Sequence, residues 1–172
     1  MPRPEMLGRL FDIAACITPV DLQTAQTGKR IKVSNASRVC IICFKGVGTA
    51  ADDPTWDVQQ ANAASGGTIK DLDVVDHYYL KDELALDGDE AWVKETQTAA
   101  SEIADPGGDG TSAEHEQIMV IEIDPDTMDV ANGFRWISIN CADVGVNAQL
   151  GCALVLIEPA YANAPENMPA TQ

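Results

Sequence analysis

The chain has 172 residues, 45% of them hydrophobic, and carries 27 acidic side chains against 11 basic ones, a net charge of −16. That length suits one domain with a full core and hardly two, and the apolar fraction excludes wholesale disorder. So acidic a surface argues against non-specific nucleic-acid binding, and no apolar run approaches the roughly 18 residues needed to span a bilayer. The charge is uneven: residues 1–45 are net +4 and residues 46–172 net −20.

Residues 1–28 read as an extended N-terminal arm. Pro2, Pro4 and Pro19 break any long helix, leaving room for a short one over Glu5–Asp12. Asp12 also interrupts the apolar run that a signal peptide would need. The arm's apolar residues suit either a strand added to the domain's own sheet or an arm reaching a neighbouring subunit.

From Lys29 the pattern changes to short alternating runs. Strands are expected at Lys29–Ser34, Arg38–Lys45, Thr55–Gln60, Val74–Leu80, Ala91–Thr98, Ile118–Ile123, Phe134–Cys141 and Leu150–Ile157. Arg38–Lys45 and Leu150–Ile157 are apolar on both faces, which predicts central or sandwiched strands. The Gly- and Asp-rich stretches between the runs read as turns, and residues 99–113 as an exposed loop. Phe134–Cys141 and Leu150–Ile157 are joined by only ADVGVNAQ and read as a β-pair at the heart of the core. The whole predicts an all-β, single-domain antiparallel β-sandwich or jelly roll of about eight strands. The sandwich domain is expected over 29–161, with a C-terminal tail at 162–172.

The residues that could carry chemistry have stronger structural readings. Cys40-x-x-Cys43 lies within a strand, where positions three apart face opposite ways, so the five cysteines read as buried free thiols. Asp76 and His77 are adjacent and expected to point apart, and His115 is expected to be solvated. Asp52 and Asp53, and Asp124, Asp126 and Asp129, sit in turns. Such spacing can ligate Ca²⁺, but the EF-hand pattern is absent, and turn aspartates commonly bond their own backbone. No nucleophile elbow, phosphate loop or dinucleotide fingerprint occurs. The residues therefore predict no enzyme, no metal and no cofactor, and favour a structural or binding module.

One resemblance adds to this reading. A strand ending in Lys45-Gly46 is followed by the turn Gly48–Pro54 (GTAADDP) and by Gln59-Gln60-Ala61. Later come Asn132-Gly133-Phe134 and the run Ala142–Leu154 (ADVGVNAQLGCAL). Together these resemble a group of small tailed-bacteriophage virion proteins, over roughly residues 20–161. The resemblance implies a capsid decoration or cement protein, made in the host cytoplasm and placed on the virion's capsid surface. The implied partner is the major capsid protein. A homo-oligomer is expected, with a trimer favoured by the symmetry of capsid sites; neither nucleic acid nor membrane is an expected partner. In that role Leu7, Arg9, Leu10 and Phe11 of the arm are the expected capsid or subunit contacts. A tail or head–tail connector protein is one alternative. A carbohydrate-binding adhesion module, using Trp56 or Trp92, is another.

Overall fold

The computed structural model describes residues 7–108 and 110–160 and, of Arg9, the backbone alone. The chain is an all-β sandwich of two antiparallel sheets. After a single helical turn, α1 (Leu7–Leu10), come β1 (Asp12–Asp21), β2 (Ile31–Lys32), β3 (Ala36–Lys45), β4 (Thr55–Ala61), β5 (Ile69–Asp71) and β6 (Val75–Glu83). Then follow β7 (Val93–Ala100), β8 (Glu102–Ala104), β9 (Glu116–Ile123), β10 (Trp136–Cys141) and β11 (Leu150–Pro159). Two 3-10 turns, Pro125–Thr127 and Val130–Asn132, lie between β9 and β10.

Six strands form one sheet in the order β1-β11-β3-β9-β6-β7, and β2-β10-β4-β5 form the other, with β8 also paired to β4. Most consecutive strands belong to opposite sheets, so most loops cross the sandwich. One continuous core fills the space between the sheets. Ile41, Ile121 and Val155 of the larger sheet meet Val58, Ile137 and Ile139 of the smaller one, all fully buried. Inward and outward residues alternate along β3 and β9, as the period-two pattern requires.

All eight expected strands form. Lys29–Ser34 shrinks to Ile31 and Lys32, and the expected helix to the turn Leu7–Leu10. Three features differ from expectation. First, β10 and β11 are not a pair. β10 lies between β2 and β4, and β11 between β1 and β3, so the two runs face the same core from opposite sheets. The segment joining them is a crossover. Alternation fixes which face of a strand is buried, but not which strand lies beside it. Second, the sandwich begins before residue 29. Of the two outcomes expected for the arm, Asp12–Asp21 takes the first: β1 adds to the domain's own sheet, pairing with β11 from Asp12↔Ile157 to Asp21↔Leu150. Third, the loop expected over 99–113 holds β8, whose Ile103 is fully buried. Residues 1–6 of the arm and the tail at 162–172 lie outside the described residues.

Candidate functional site

The outer face of the six-stranded sheet, away from the core, has no second sheet over it, although Leu156, at its cleft end, is buried. Pairing registers lay its residues out in rows. One row is Ile13, Leu156, Cys40 and Glu122. The next crosses all six strands as Ala15, Leu154, Ile42, Val120, Tyr79 and Lys94. A third is Cys152, Phe44, Ile118 and Lys81. Relative exposure reaches 45% at Ile13, 45% at Phe44, 37% at Leu154 and 66% at Leu150. These values leave large apolar side chains in water, a contiguous patch of the kind that marks an interaction surface. The signal lay in the sequence as the two-sided apolarity of β3 and β11. It predicted sandwiched strands, whereas only one face of each is covered by this chain.

At the end of this face, where β1 begins and β11 ends, lies a cleft of about 410 Å³. Phe11, Cys40 and Leu156 give it apolar walls, and Arg38, Glu122, Asp124 and Glu158 give it a charged rim. Arg38 Nε donates to Glu158 Oε2 at 2.5 Å, which holds that carboxyl below its ordinary value. Of the expected contact residues, Phe11 therefore lines a cleft. Leu7 and Leu10 project from α1 with relative exposures of 51% and 56%. Arg9 shares that turn, and its side chain lies outside the described residues.

Four of the five turn aspartates, Asp52, Asp53, Asp124 and Asp129, are committed to the backbone and to neighbouring loops. Asp53 Oδ1 accepts from Ser112 Oγ at 2.8 Å and from the Ala113 amide at 3.0 Å. Asp124 caps a 3-10 turn through the Asp126 amide, and Asp129 accepts from Asn132 and Lys70. Asp52 accepts from Asn147 Nδ2 at 3.1 Å. Among the described residues the carboxylates that do converge are Glu83, Asp87, Asp89 and Glu90, whose oxygens lie within 4.8 Å of one another. Glu90 is held below its ordinary carboxyl value, chiefly by the Gly88 N–H, and lies 3.8 Å from Lys81 Nζ.

Both histidines differ from expectation. His77 Nδ1 lies 2.6 Å from Asp76 Oδ1, although the two are neighbours in sequence. The β6–β7 register shifts between Val75 and His77, and this bulge breaks the strict alternation that would have pointed them apart. His115 is not simply solvated: its Nδ1 lies 2.7 Å from Asp82 Oδ1, a pair that β6–β9 packing creates and no local pattern shows.

Beside that pair Lys45 is buried at 2% exposure, its Nζ donating to the carbonyls of His115 at 2.6 Å and Gly46 at 3.3 Å. Burial pushes the amine down from 10.5 to about 8, against the opposing pull of Asp82, Asp53 and Glu114. This polar cluster ties loop to strand and is closed to solvent at its lysine.

All five cysteines are free. Cys43 faces the core and Cys40 the outer face, as the strand reading of C-x-x-C requires. Burial raises both thiols, Cys40 to about 11. Trp56 is a core residue rather than a surface aromatic. Trp92 is exposed, with Lys81 Nζ 5.5 Å from its ring centroid. Among the described residues no helix is long and apolar enough to cross a membrane. No protein-family model, curated protein or solved structure matches the chain.

Proposed function

We propose that this chain is a non-enzymatic virion structural protein of a tailed bacteriophage. On this reading it binds the outside of the capsid shell as a decoration or cement protein and stabilises the head. The observation that carries the proposal is the pair of projecting apolar side chains Leu7 and Leu10, beside the Phe11 cleft, on an otherwise acidic body. A protein with those two properties is soluble alone and has a defined surface to lose to a partner. The major capsid protein is that partner, and α1 with Phe11 is the segment that reaches it. The burial of Trp56 removes one of the two tryptophans on which a glycan-binding reading would rest, and Lys81 occupies one side of the other.

The test is to add purified protein to heads that lack it, count bound copies, and measure the temperature at which heads lose DNA. A decoration protein saturates at hundreds of copies and raises that temperature, whereas a connector stops at a ring of about six to twelve. Leu7→Ser with Leu10→Ser is expected to weaken binding at least tenfold while leaving the isolated domain folded. Full-affinity binding by the double variant would remove the arm from the contact. No binding by the unaltered chain would remove the capsid reading itself.

A further inference from the structure

We infer that the outer face of the six-stranded sheet is a self-association surface, covered in solution by the same face of a second copy of this chain. The argument starts from charge. Across the three central rows of the face the ionised side chains are Glu122, Lys81 and Lys94, and with Glu90 lying 3.8 Å from Lys81 Nζ they sum to zero, in a chain whose total is −16. Two copies repel each other through most of their surface. They can approach only where that field is locally cancelled, and this face is such a place.

The second argument is area. Six strands at about 4.8 Å spacing make a face about 24 Å wide, and the three rows with their flanking side chains run about 20–25 Å along the strands. Each copy would cover roughly 500–600 Å², so a pair buries about 1,000–1,200 Å² in total, the lower bound for a specific complex. That area suits a weak, reversible dimer rather than an obligate one.

The third argument is shape. Two twisted sheets stack face to face about 10 Å apart when their facing side chains are apolar and alternate with inward ones. Ile42, Phe44, Val120 and Leu154 supply that layer, and the inward residues already fill the chain's own core. A two-fold axis along the strands would set the β1–β11 side of one copy against the β6–β7 side of the other. The all-apolar Ile13, Ala15 and Leu154 would then meet Tyr79 and the stem of Lys94, so neither lysine would be buried against its own image. Such a contact is isologous and closes with two copies, unlike the three-fold arrangement that capsid symmetry favours.

The inference stands apart from the capsid reading, because it is read on the isolated protein. Light scattering coupled to size exclusion, from about 1 to 200 μM, is expected to show monomer passing to dimer. Leu154→Asp, in the row that crosses all six strands, is expected to leave a monomer throughout that range, with Leu150→Asp as a second, more exposed probe. Val146→Asp, on the β10–β11 crossover, is the control that should still dimerise. Far-UV circular dichroism and a melt establish that each variant is folded. A second readout is alkylation of Cys152, which lies half-buried on the face. It should slow as the unaltered protein is concentrated and stay constant in Leu154→Asp. A monomer at every concentration, a trimer, or a dimer indifferent to Leu154→Asp would each overturn the inference. So would a monomer that loses head binding on Leu154→Asp, which would make the face the shell contact.

Discussion

A Cβ added at Gly28 would stand 2.1 Å from the carbonyl oxygen of Ile139 and 2.6 Å from Cys16 Sγ. The β1–β2 connection is pinned between the two sheets here: the Lys29 amide donates to Cys16 O of β1, and the Gly28 amide to Asn140 Oδ1 of β10. Because one of the clashing atoms is backbone in a central strand, the methyl group cannot be accommodated by a rotamer change. Gly28→Ala is expected to cost about 3 kcal/mol or more in urea unfolding. Gly8→Ala, where the methyl meets nothing within 4 Å, should shift stability by less than about 0.5 kcal/mol. Equal stability of the two variants would contradict the close approach.

Lys45 gives the fold a signed dependence on pH. The folded chain releases the lysine proton near pH 8, the unfolded chain only near 10.5. Between those values the unfolded state holds more protons, so stability rises with pH, and the burial penalty is fully present below about pH 8. Thiols whose folded values are raised act in the opposite sense above about pH 9, so the comparison must be with Lys45→Met rather than absolute. Relative to that variant, the unaltered protein should gain about 2 kcal/mol between pH 7.5 and 10. A difference that stays flat across the window would show that the amine titrates normally.

What the sequence made legible, and what it hid, follow from the same physics. β3, β9 and β11 were readable because each is a continuous run of largely apolar residues, of strand length, bounded by turn signals. β1 was not, since Pro19 and two register shifts, between Ala15 and Ile17 and between Ile17 and Val20, scramble its alternation. β5 and β8 have three residues each, too few for any period to show. The separation of β10 from β11 was invisible because partner choice is a long-range property. The candidate site was half legible. Leu7, Leu10 and Phe11 stood out as apolar residues among prolines and charges. The face itself was hidden by the assumption that a strand apolar on both sides must be covered on both sides.

The boundary of the N-terminal arm can be tested directly. Deleting residues 2–10 removes α1 but none of the β1–β11 ladder, and should leave the melting temperature within a few degrees. Deleting residues 2–21 removes the edge strand, uncovers the β11 edge and takes away the buried Cys16 and Ile17. That variant is expected to lose its near-UV circular dichroism and to aggregate through the bare edge. A cooperative melt at the original temperature would mean that the sandwich is complete without β1.

The thiols supply a map of the two faces. Cys16, Cys43 and Cys141 are buried, and burial drives the Cys141 thiol up to about 12. In dilute native protein at pH 8 these three should be silent toward a disulfide reagent, and all five should react once the chain is unfolded. Cys40 is half-buried at the cleft, and with its thiol raised to about 11 its reactive thiolate is scarce. Its labelling should be about 100-fold slower than that of an ordinary cysteine at this pH. Oxidation with diamide should produce no intramolecular Cys40–Cys43 bond, because the two side chains leave β3 on opposite faces. Rapid native labelling of Cys43, or a 2 Da mass loss assigned to that pair, would place β3 in a different register from the one its pairing with β9 and β11 defines.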